Sequence, residues 1–144
     1  MKFLVINGPN LNMMHFTEPG VAGQLDYNGL LDYLELCCTQ MGMEVEFFQS
    51  NHEGDLIDEI QSAAGRADGI VINPAAYTHT SVAILDALKA VAIPAVEVHI
   101  SAVETREDFR QVSYARLACF ATITGEGLQG YAHALELLKE HLEK

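Results

Sequence analysis

Basic side chains are scarce in this chain: eight Lys and Arg stand against twenty Asp and Glu, a formal net charge of −12. A field of that sign repels phosphate backbones and anionic membrane surfaces. It excludes nucleic-acid tracking, and it leaves room for an anionic ligand only where a local arginine and backbone N–H groups offset the global charge. Long apolar runs are also missing, and nothing approaches the roughly 18 residues needed to cross a bilayer. Cysteine is sparse and odd in number: Cys37, Cys38 and Cys119 show no CxxC spacing, so buried free thiols in a reducing cytosol are expected. The opening MKFLVING has one lysine and a short apolar run, then glycine and proline with no small-residue cleavage pattern. It reads as a first buried strand, with no signal peptide. There is no GxGxxG and no Walker loop. The histidines do not pair at helical or strand spacing with a third ligand, His15, His52, His133 and His141 being scattered. No metal and no cofactor are expected.

What is present is a strong alternation. Apolar segments of strand length recur at Phe3–Ile6, Val45–Phe48, Ile70–Ile72, Ala95–Val98 and Cys119–Ile123, each followed by a helical or helix-like stretch. In 144 residues this predicts one α/β domain spanning 1–144, with a five-stranded parallel sheet covered by helices on both faces and a flavodoxin-like strand order 2-1-3-4-5. Tyr27, Leu30, Leu31, Leu34, Cys38 and Met41 fall at helical spacing behind Asp26, a capping residue. Ser50 and Glu53 resemble a capping box ahead of Leu56, Ile57, Ile60 and Ala64. Leu128, Tyr131, Leu135, Leu138 and Leu142 form the stripe of a last helix, read as core packing without a functional role.

In an open parallel sheet, ligands bind beyond the carboxyl ends of the strands. Four of the five exits are polar: Asn7-Gly8-Pro9-Asn10, Gln49-Ser50-Asn51-His52, Asn73 through His79, and His99-Ile100-Ser101. Taken singly, such clusters satisfy turns and caps; their convergence on one edge points to a site. His99 follows an apolar strand beside Glu97 and Ser101, and residues two apart share a strand face, which suggests an orienter, an acid/base group and an anchor. His79 lies in THTS at a helix start, where Thr78, Thr80 or Ser81 caps and free N–H groups attract an oxyanion. Among the few cations, only Arg106 and Arg110 follow a strand exit closely, and one of them is the expected carboxylate partner. The residues thus describe an acid/base site for a small, polar, anionic molecule.

NGPNLN at Asn7–Asn12, FQSNHEG at Phe48–Gly54, INPAAYTHTSVAILDAL at Ile72–Leu88, PAVEVHIS at Pro94–Ser101, REDFR at Arg106–Arg110 and GEGLQGYAHAL at Gly125–Leu135 resemble type II dehydroquinases in order and spacing. The resemblance covers essentially the whole chain. It implies cofactor-independent removal of water from 3-dehydroquinate through an enolate, giving 3-dehydroshikimate in the shikimate or quinate pathway. It also implies a cytoplasmic homododecamer built as four trimers. Matched position by position, His99 is the general acid toward the departing hydroxyl, Asn10 helps hold the water or oxygen at the enolate, and Glu97 orients His99. Asn73, His79, Ile100, Ser101 and Arg110 bind substrate, and Asp86 reaches a neighbouring subunit's site.

The chain departs from the family's pattern around Pro19. The family has an arginine two residues before that proline and a tyrosine three residues after it, the tyrosine acting as the base that removes the ring proton. Here the positions hold Thr17 and Ala22. Ala102 is a third departure, where the family usually has asparagine. Two classes of function follow. In one, the chain is a dehydratase slowed by the loss of its base. In the other, it is a non-catalytic or altered-substrate paralogue that binds a small cyclic polyol carboxylate. A flavin-binding or receiver-like module is disfavoured, because the first loop lacks a phosphate cradle or an acidic cluster.

Overall fold

The computed structural model describes residues 1–14 and 26–144. Five parallel strands, β1 (Lys2–Asn7), β2 (Glu44–Gln49), β3 (Gly69–Asn73), β4 (Ala95–Val98) and β5 (Ala121–Ile123), form one sheet in the order β2-β1-β3-β4-β5. The flavodoxin-like order expected from the alternation is the one observed. Register brings three strand ends level, with Asn7 opposite Gln49 on one side and Asn73 on the other.

Alternation along β1 divides the core in two. Phe3 and Val5 face a layer made by α1 (Tyr27–Gln40) and α4 (Gln129–Glu143), packing with Leu30, Leu34, Tyr131, Leu135 and Leu138. Leu4 and Ile6 face the other layer, α2 (Glu53–Ser62) and α3 (Val82–Val91), packing with Leu56, Ile60, Ile84 and Leu88. Each such fully buried side chain contributes about 1.5–3 kcal/mol relative to exposure, and strands buried on both faces are what a parallel sheet requires.

Local signals set the helix starts. The Asp26 carboxylate accepts the Gly29 N–H at 2.8 Å, and of the three hydroxyls flanking His79 it is Ser81 that caps α3, accepting the Ile84 N–H at 2.9 Å. The capping box expected of Ser50 and Glu53 does not form. Ser50 Oγ takes the His52 N–H at 3.0 Å and donates to Asp55 at 2.9 Å, because α2 begins one residue after His52, too far along for the pair to reciprocate. The fifth strand is shorter than its apolar run: Cys119 ends a 3-10 turn over Ala115–Ala118. Cys37, Cys38 and Cys119 are free thiols; burial pushes Cys38 up to about 11 and Cys119 up to about 12, so neither is a nucleophile at neutral pH. No described helix is long and apolar enough to cross a membrane.

Candidate active site at the carboxyl edge of the sheet

Three strand exits meet around a cavity of about 490 Å³. β1 contributes Pro9, Asn10 and Leu11, β3 contributes Asn73, Ala75, Ala76 and His79, and β4 contributes His99, Ile100 and Ser101; Val103, Arg106 and Arg110 close the side. The first two exits can lie this close because residue 8 is glycine. A Cβ there would sit 2.4 Å from the Pro74 carbonyl oxygen, while the Gly8 N–H donates to Asn73 O at 2.8 Å. Asn10 adopts a left-handed backbone, φ 70°, which asparagine tolerates better than most residues. Its N–H is held by Asn51 Oδ1 at 2.9 Å, and no described group bonds its side-chain amide.

Asn73 belongs to a buried polar chain. Its Oδ1 accepts the Ala75 N–H at 3.1 Å, and its Nδ2 donates to the Tyr131 hydroxyl at 2.9 Å. Tyr131 in turn donates to Asn7 Oδ1 at 2.6 Å, and Asn7 Nδ2 donates to the Tyr27 hydroxyl at 3.3 Å. Tyr131, read from the sequence as core packing, is fully buried and also fixes Asn73. The available signal was a hydroxyl inside a leucine stripe, since a buried tyrosine O–H needs a partner. Tyr27 is half-buried against the α1/α4 core and does not line the cavity; burial raises its pKa more than the Asn7 hydrogen bond lowers it.

The two cavity histidines have different partners. His79 Nδ1 lies 2.7 Å from the Val112 carbonyl oxygen; a carbonyl only accepts, so Nδ1 carries the proton and Nε2 is the lone-pair nitrogen of the neutral ring. His99 is 5% exposed, and its Nε2 lies 2.8 Å from Glu97 Oε2. The carboxylate takes the Nε2–H, so Nδ1 is the nitrogen left for the cavity. Glu97 has no exposed surface and is also bonded by Ser113 Oγ at 2.5 Å, Arg116 Nε at 3.0 Å and Thr122 Oγ1 at 2.9 Å. Burial works to raise its pKa, but hydrogen bonds from His99, Ser113 and Arg116 and the charge of His99 hold it at about 2. Ser113, Arg116 and Thr122 carried no motif that would have marked them in the sequence, because the first two come from turns and the third from the neighbouring strand.

Arg106 and Arg110 bring positive charge to the cavity wall, with Glu107 3.1 Å from Arg110 Nε and 3.8 Å from Arg106 Nε. The carbonyls of Ile100 and Ser101 are each tied at 3.1 Å, to the N–H groups of Gly127 and Gly125. Both residues line the cavity, and among the described residues no group accepts the backbone N–H of either. Asp86 is exposed on α3 and does not line the cavity. Ala102 neighbours the lining residues without joining them. Thr17, Pro19 and Ala22 lie outside the described residues. No cluster of three His, Cys, Asp or Glu among the described residues has metal-binding geometry.

Two histidines, one of them held by a buried carboxylate, with two arginines and two backbone amides around one cavity suit a small oxygen-rich anion. The chain matches the family described as Dehydroquinase class II over residues 1–139. It belongs to the class II dehydroquinases. The 3-dehydroquinate dehydratase of Geotalea daltonii is 49% identical over 144 residues, with 100% of both chains covered. That of Caldicellulosiruptor bescii is 50% identical over 143 residues, with 99% of each covered. The crystal structure of the type II dehydroquinase from Butyrivibrio crossotus superposes with a TM-score of 0.93 at 49% identity, covering 96% of this chain and 97% of that one. For a class II dehydroquinase, the placement of the sequence candidates is direct: Asn10, Asn73, His79, His99, Ile100, Ser101 and Arg110 all line one cavity, with Glu97 behind His99.

Proposed function

We infer that this chain is a type II 3-dehydroquinate dehydratase, a hydro-lyase of the shikimate pathway that converts 3-dehydroquinate to 3-dehydroshikimate. The observation that carries the reading is the buried Glu97–His99 pair opening onto a cavity that also holds Asn73, His79 and Arg110. Dehydration of a β-hydroxy ketone removes the proton next to the carbonyl, forms an enolate, and expels the hydroxyl as water once it is protonated. We assign the last proton to His99 Nδ1, with Glu97 stabilising the imidazolium that must form first. Asn10 is placed to hold the water or oxygen at the enolate. The substrate carboxylate is assigned to Arg110 with the N–H groups of Ile100 and Ser101, and the ring hydroxyls to His79 and the Asn73 amide.

With Thr17 and Ala22 where the family has arginine and tyrosine, no dedicated base is supplied from that loop, and turnover is slow. A positioned general base is typically worth about 10²- to 10⁴-fold. The same departures support a second reading, a paralogue that binds a cyclic polyol carboxylate without turning it over. Calorimetry with 3-dehydroquinate, shikimate and quinate, followed by product analysis, separates the two: both predict binding, and only the dehydratase yields 3-dehydroshikimate. Failure to bind any of the three would overturn the substrate class. We further assign the whole of 1–144 to one catalytic domain, cytoplasmic and assembled as a dodecamer of four trimers. The outward-facing Asp86 supports an approach to a neighbouring site. Light scattering showing only monomer would contradict the assembly.

A further inference from the structure

Glu97 is a fully buried carboxylate on β4 whose charge outlasts any one state of His99. When His99 has given up its second proton, the pair has lost its cation, and a buried carboxylate without a counter-charge is costly. Arg116 fills that gap. It comes from the 3-10 turn Ala115–Ala118, keeps 45% of its side chain exposed, and reaches inward to place Nε 3.0 Å from Glu97 Oε1. Thr122, the register partner of Glu97 on β5, holds the same oxygen at 2.9 Å. Ser113 shares the other oxygen with His99 and also caps the turn, accepting the Arg116 N–H at 3.2 Å. Each carboxylate oxygen therefore has at least one donor that does not titrate in the working range: the guanidinium and the Thr122 hydroxyl on Oε1 and the Ser113 hydroxyl on Oε2.

We propose that Arg116 is a positioning residue for the dehydration: its guanidinium keeps Glu97 ionised and fixed while His99 gains and loses the proton it delivers, so that the ring keeps its cavity-facing orientation through the cycle. The proposal rests on the reading of His99 as the acid. It carries a second consequence. Guanidinium and imidazolium share one carboxylate, so Arg116 also weakens the hold of the site on the His99 proton and eases its transfer to the departing hydroxyl. The other groups bearing on the pair are Glu104, bonded to Thr124 at 2.7 Å, the Cys119 thiol, and the cavity groups His79, Arg106 and Arg110. Only Arg116 among these cations bonds Glu97 directly.

The test uses the full chain carrying Arg116→Met, which keeps the stem and removes the charge, and Arg116→Lys, which keeps the charge without the Nε geometry. The readouts are the pH titration of the His99 ring by NMR and the pH dependence of kcat and KM for 3-dehydroquinate. In Arg116→Met the ring signals should titrate at higher pH, and the alkaline limb of kcat should move the same way. At neutral pH kcat should fall about tenfold or more, the loss expected when an orienting partner of a working imidazole is removed, with KM changed less than about twofold. Arg116→Lys should recover the titration and part of kcat. A lower melting temperature with an unmoved His99 titration and unmoved kcat would overturn the proposal and leave Arg116 a structural contact. A titration that shifts in Arg116→Met while the parent chain yields no product would instead uphold the geometry and sink the dehydratase reading.

Discussion

Replacing Glu97 with glutamine keeps the shape of a fully buried side chain and removes the charge that His99, Ser113 and Arg116 address. In the folded chain this carboxyl is held at about 2, against an ordinary 4.5. At about 1.4 kcal/mol per pH unit, that gap corresponds to about 3 kcal/mol of stability, an order-of-magnitude figure. The sign follows from proton binding. Between pH 2 and 4.5 the unfolded chain binds the proton and the folded chain does not, so acid favours unfolding. The contribution is complete above about pH 4.5 and is lost as pH falls toward 2. Urea unfolding of the parent and of Glu97→Gln, measured from pH 6 down to pH 2, isolates it, because the other carboxylates are common to both chains. The stability difference between the two should change by about 3 kcal/mol in favour of the variant on going to pH 2. A difference that stays constant across that range would show that Glu97 is not held ionised by its partners, and the electrostatic account of His99 would fail with it.

Two further outcomes follow from the packing around the cavity. Tyr131→Phe strips the hydroxyl between Asn73 and Asn7; leaving buried amide groups unpaired should cost about 1–3 kcal/mol in urea unfolding and raise KM for 3-dehydroquinate as Asn73 loses its anchor, and an unchanged KM would show that Asn73 is held without it. Gly8→Ala forces a Cβ to within 2.4 Å of the Pro74 carbonyl oxygen and should cost about 1–3 kcal/mol, so a variant as stable as the parent by thermal unfolding would mean that the β1 and β3 exits separate freely.

Strand order and site location were legible because both depend on patterns carried within short segments. Runs such as Ile70–Ile72 and Ala95–Val98 announced buried parallel strands, and the polar residues directly after them marked the carboxyl edge. Pairing of Glu97 with His99 was also readable, since strand alternation puts them on one face. The clamp around Glu97 was not readable. Ser113, Arg116 and Thr122 lie 16, 19 and 25 residues away in the chain and converge only when β5 pairs with β4. Tyr131 was hidden for the opposite reason, because its position in a leucine stripe explained it fully until its hydroxyl was seen to reach Asn7 and Asn73. The failed Ser50–Glu53 box shows the limit of motif spacing: the helix start shifted, and the serine found Asp55 instead.

The most direct test of dehydration by this cavity compares initial rates of 3-dehydroshikimate formation in the parent, in Thr17→Arg with Ala22→Tyr, and in that pair combined with His99→Ala. The account predicts slow turnover in the parent, a gain in the double variant of up to about 10²- to 10⁴-fold, and loss of that gain when His99 is removed. A parent chain already turning over at a rate indifferent to Ala22→Tyr would contradict it, because another group would then be serving as the base.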